Sequence, residues 1–100
     1  MKIRFNVCIY ERKRDLSGNR YSLATITSTK TGNSLSVNLG WGGGSNAERL
    51  AQRVAGSYDA VDSSTVVLPC REYDRIEKCG NYMPENQATP EMVAALEQTP

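Results

Sequence analysis

Residues 40–56 read GWGGGSNAERLAQRVAG, and within them Gly42, Gly44 and Ala47 satisfy the spacing G-x-G-x-x-A. That spacing can do chemistry. Small residues let backbone N–H groups approach a pyrophosphate at a helix N-terminus. Its surroundings argue otherwise. The preceding residues alternate, as a half-exposed antiparallel strand does, whereas a dinucleotide fold begins on an apolar parallel strand. The next acid of the right kind, Glu72, comes late, and no lysine stands between Lys30 and Lys78 to complete a phosphate loop. A plainer account covers the same letters. Ser45 and Glu48 have the spacing of a capping box, and Gly42 to Gly44 let the chain reverse from strand to helix. The stretch is therefore expected to be a hinge with a cap.

Other reactive groups are sparse. The chain has no histidine, which removes the commonest general base and every Ser-His or Cys-His pair. Cys8, Cys70 and Cys79 form neither an even disulfide set nor a zinc spacing, so no metal and no cofactor are expected. Of the three thiols Cys8 alone is a candidate for reactivity, with no base nearby to activate it. Glu72 and Asp74 point to different faces of a helix and make a poor acid–base couple. The expectation is a protein that is not an enzyme.

Charge is more informative. Residues 1–50 hold eight Lys or Arg against three acids, and residues 51–100 hold four against eight, so the halves carry +5 and −4. Such asymmetry marks either a charged partner or an acidic half folding back on a basic one. Arg12, Lys13, Arg14 and Arg20 fall within nine residues, and Arg4 and Tyr10 extend that patch along the first strand. Ser22, Ser34, Ser36 and Asn38 would join them if the neighbouring strands present them on the same side. A sheet face with this chemistry can hold phosphates and read guanine. In the second half, Asp59, Asp62, Glu72, Tyr73 and Asp74 would form an acidic, tyrosine-bearing surface suited to a basic partner, or one that mimics nucleic-acid charge.

The elements that must position these groups follow from periodicity. Residues 2–10 alternate, with Ile3, Phe5, Val7 and Ile9 inward and Cys8 outward. The segment 11–20 is a charged hairpin loop, 21–29 a second strand, and 34–41 a third with Leu35, Val37, Leu39 and Trp41 inward. At Asn46 the period changes to that of a helix, with Ala47, Leu50, Ala51 and Val54 on one face and Gly56 as its stop. Residues 57–64 are a polar connection and 65–68 a short buried strand ended by Pro69. Residues 70–79 fit either a helix or a continued strand. A loop over 81–88 leads to a helix opened by Thr89 and Pro90.

The fold class is α+β: a three-stranded antiparallel meander, a helix, a fourth short strand, and one or two C-terminal helices. Residues 1–80 are expected to make a single domain, with 81–100 a loop and short helix that either docks loosely on it or frays. A three-stranded sheet backed by a helix is similar, in architecture alone, to the small DNA-binding domains of some integrases and plant AP2-type factors. The overall profile resembles small accessory proteins of phages and mobile elements, some of which inhibit host machinery. No run of about 18 apolar residues is present and the start lacks a signal-peptide pattern, so a cytoplasmic protein without a membrane partner is expected. The leading expectation is a protein-binding regulator or inhibitor. The alternative is a nucleic-acid-binding protein using the first strand and its loop.

Overall fold

The computed structural model describes residues 2–13 and 20–99. Most of the first hairpin loop, Arg14 included, lies outside the described residues. Five strands form one sheet in the order β4-β1-β2-β3-β5: β1 (Phe5–Arg12), β2 (Tyr21–Ser28), β3 (Ser34–Trp41), β4 (Val61–Leu68) and β5 (Met83–Pro84). The first three are antiparallel, while β4 runs parallel to β1 and β5 parallel to β3. The helices are α1 (Asn46–Ala55), α2 (Cys70–Cys79) and α3 (Pro90–Ala95). The meander, helix, fourth strand and C-terminal helices thus occur in the expected order, and 70–79 is helical.

Alternation on β1 decides the core. Phe5, Val7 and Ile9 are buried on one face, which the register continues through Ile26 and Ala24 of β2 and Leu35 and Val37 of β3. Ala47 and Ala51 of α1, and Val93 and Leu96 at the C-terminal end, close over this face. Small alanines let α1 sit close to the strands. Gly56 ends α1 in the left-handed conformation (φ 72°), its N–H donating to the Gln52 carbonyl. The Thr89 hydroxyl accepts from the Met92 N–H and opens α3. Residues 81–99 are built into the same unit: β5 pairs with β3, Val93 is fully buried, and the Thr31 hydroxyl donates to the Leu96 carbonyl.

Three local expectations are corrected. Ser45 makes no side-chain cap bond, and the Glu48 carboxylate instead accepts from Gln52 Nε2 at 3.1 Å, so the capping box does not form. The fourth strand begins at Val61, inside the expected polar connection, and its side chains are mostly exposed because it is the outer strand of the sheet. Trp41 points out. A bulge opposite Ser22 and Leu23 inserts Leu39, with Gly40 in the left-handed conformation (φ 64°), and this breaks the alternation one residue before the ring. Leu39 takes the core position, and Trp41 is left 70% exposed.

The second face of the sheet is covered at one end only. There α2 packs against β1, and Leu23 of β2 and Tyr73 of α2 are both buried. The Tyr73 hydroxyl has no hydrogen-bond partner among the described residues, and burial pushes its pKa well above the ordinary tyrosine value. A buried hydroxyl without a partner forfeits its hydration with nothing in return. Tyr73→Phe is therefore expected to leave stability unchanged or raise it by about 1 kcal/mol, whereas Tyr73→Ala should cost about 3–5 kcal/mol. Urea denaturation of the two variants checks this. Marked destabilisation by the phenylalanine would mean that the hydroxyl has a partner.

Candidate functional site

Three arginines of the patch expected on the first strand and hairpin are paired with carboxylates of the same chain. Arg4 leaves the sheet, its Nε donating to Glu97 Oε2 at 3.0 Å and its Nη1 to the Ala55 carbonyl at 3.2 Å. Arg12 Nε meets Asp74 Oδ1 at 3.1 Å, and Arg20 lies 3.7 Å from Glu11. Tyr10 is half-buried, with a hydrogen bond to Cys8 that raises its pKa above the ordinary value. Lys13 is exposed beyond the end of β1, its N–H donating to the Leu68 carbonyl and its own carbonyl 3.6 Å from the Cys70 thiol. Two of these pairs, Arg4–Glu97 and Arg12–Asp74, join the basic first half to the acidic second half.

The acidic residues do not form one surface. Tyr73 is in the interior and Asp74 is engaged by Arg12. Asp59 and Asp62 stand exposed at the start of β4, while Glu72 is on α2, beyond the other end of that strand. The open part of the second sheet face is a field of hydroxyls. Thr25 pairs with Ser36 at 3.4 Å and Thr27 with Ser34 at 2.9 Å, beside Asn6, Cys8, Asp62 and Ser64. Ser22, expected on that side, is buried on the other face, across from Glu11.

At the glycine-rich turn, a cleft of about 340 Å³ is lined by Glu11, Arg20, Ser22, Gly44, Ser45, Glu48 and Thr65. Two carboxylates face the N-terminus of α1 there, an unfavourable setting for a phosphate. Gly42 is left-handed (φ 77°), and a Cβ on Gly43 would come within 2.5 Å of the Leu39 carbonyl. The turn is a hinge that its glycines make sterically possible. Among the described residues no group of three or more cysteines, aspartates or glutamates could hold a metal ion, and no helix is long and apolar enough to cross a membrane.

What the hinge end does offer is aromatic. Tyr21 and Trp41 are cross-strand partners, 37% and 70% exposed, and the Gly42 N–H donates to the Arg20 carbonyl just beyond them at 3.2 Å. Trp41 is the sole tryptophan of the chain, and Arg20 and Lys13 flank this end of the sheet. The signal for this arrangement was Gly40, a residue that interrupts alternation where the tryptophan begins. No family model, curated protein or solved structure was found to match the chain.

The Arg4 guanidinium holds the Glu97 carboxyl below its ordinary value of 4.5. A carboxyl with a lowered folded pKa contributes stability above its unfolded value and loses it as pH falls through the folded one. Glu97→Gln should cost the protein up to about 1 kcal/mol at neutral pH, a modest effect because the pair is partly exposed. That gap should close in acid. Denaturant titrations at neutral pH and near pH 3 measure it, and a gap of constant size would mean that the ion pair contributes nothing.

Proposed function

We propose that this chain is a non-enzymatic protein-binding regulator that docks through the Tyr21–Trp41 end of its sheet. The observation that supports this reading is the exposed Trp41, held on a bulged strand beside Tyr21 with Arg20 and Lys13 at the rim. Tryptophan, tyrosine and arginine are the residue types that dominate binding energy at protein interfaces. An exposed indole on a stiff strand presents large area with little entropy left to lose. The chain has no histidine to act as a base, and among the described residues no metal-ligand set is present, which favours binding over catalysis.

Nucleic acid is the alternative occupant, since an aromatic ring beside cations can stack on an unpaired base. The pairing of Arg4, Arg12 and Arg20 with carboxylates weighs against it, because those cations would have to give up a partner to meet a phosphate.

Trp41→Ala should leave folding stability within about 0.5 kcal/mol, because the ring is mostly in solvent. It should also abolish retention of the protein partner in affinity capture. Lys30→Ala, in the β2–β3 turn, should retain that partner. Trp41 fluorescence, titrated with single-stranded RNA at several salt concentrations, separates the two occupants. Quenching that fades steeply with salt would put nucleic acid in place of protein. Loss of capture by both variants alike would remove Trp41 from the account.

A further inference from the structure

We propose that β4 pairs antiparallel with β4 of a second copy of this chain, across a two-fold axis near Thr65, to form one continuous sheet. The two edges of the five-stranded sheet are treated differently. The β3 side is capped by β5, two residues long and ending in Pro84, which blunts it. The β4 side is left open for eight residues, VDSSTVVL, with no lysine, no proline and a continuous register against β1.

The hydrogen-bonding direction on β4 is known from its ends. The carbonyls of Ala60 and Leu68 accept from the Arg4 and Lys13 N–H groups, so even-numbered residues face β1. The N–H and C=O groups of Ser63, Thr65 and Val67 therefore point outward along the free edge. These are obligatory hydrogen-bonding groups arranged as a ready template for another strand. Val66 and Val67, 42% and 59% exposed, lie on opposite faces of this edge and would be covered by the added strand. Among the described residues no element blocks the approach: α2 packs inward against β1, and the side chains of residues 62–67 are exposed.

Charge selects a second copy in antiparallel orientation. The start of β4 carries Asp59 and Asp62 with no cation among residues 57–64. Beyond its other end stand Lys13 and α2, on which Arg71, Arg75 and Lys78 share one helix side at i, i+4, i+7, with Asp74 beside them and Glu72 and Glu77 on its other sides. A two-fold axis through Thr65 sets Asp62 opposite Leu68 of the other copy, with that copy's Arg71 just beyond. A parallel arrangement would set like charges side by side. Between the ends the edge is neutral, so nothing repels at the axis. Trp41 lies on β3, three strands away at about 4.8 Å per strand, so a dimer leaves it free and presents two copies of it.

The outward direction of the Thr65 N–H provides the test. Thr65→Pro removes a donor that β1 does not use, so the monomer should keep its fold while the edge can no longer pair. Val67→Lys places a charge on the same edge by a separate route. In sedimentation equilibrium the wild-type protein should reach twice 11.0 kDa in the micromolar range, more weakly at high salt. Both variants should stay near 11.0 kDa, with dissociation constants raised at least about tenfold. If Thr65→Pro lowers the circular-dichroism signal of the fold, Val67→Lys decides alone. A wild-type protein that remains at 11.0 kDa up to about 0.5 mM overturns the proposal. So does a dimer that folded variants leave intact.

Discussion

β1 carries hydrogen bonds along both of its edges, antiparallel to β2 and parallel to β4; one of its faces is buried by the core and the other is covered only where α2 packs. Its odd-numbered side chains meet α1 and its even-numbered ones meet the second face, where α2 packs. A parallel partner cannot be reached through a tight turn; it needs a crossover. Here α1 is that crossover, carried from the end of β3 back to β4. The same requirement explains the glycine-rich stretch. The chain must leave β3, reverse and start a helix within a few residues, and Gly42 and Gly43 make that reversal sterically possible.

Two exposed features follow from how that frame is completed. The bulge at Gly40 seats Leu39 in the core and turns Trp41 out, so one local insertion both closes the interior and creates the aromatic end. Placing β4 outside β1 satisfies one side of the new strand and leaves its other side without a neighbour. Part of the charge is used within the protein. Arg4–Glu97 and Arg12–Asp74 tie the basic first half to the acidic second half across 93 and 62 residues of sequence. What remains exposed includes the aromatic end and the backbone groups along the outer edge of β4.

Much of this was legible in the sequence, for identifiable reasons. The alternation of Phe5, Val7 and Ile9 and the helical spacing of Ala47, Leu50, Ala51 and Val54 each have one physical solution, and both appear as expected. The rest depended on partners distant in the chain. Val61 to Ser64 read as a polar connection because an edge strand has no buried face to impose alternation. Alternation alone placed Trp41 inside, and only the bulge reverses it. A hairpin cluster of arginines reads as a patch until Glu97, Asp74 and Glu11 are brought to them by folding. The Ser45–Glu48 spacing fits a capping box, yet Glu48 bonds Gln52 instead.

Residue-resolved amide exchange on β4, followed by NMR in dilute protein and then at rising concentration, reads both the β1–β4 pairing and the open edge. Exchange in the dilute sample should alternate: slow at Asp62, Ser64, Val66 and Leu68, which face β1, and fast at Ser63, Thr65 and Val67. The fast set should then slow as concentration rises. Uniformly fast exchange along the strand would contradict the parallel pairing with β1 on which the fold rests. Odd-numbered amides that stay fast at every concentration would contradict the open edge as a site of association.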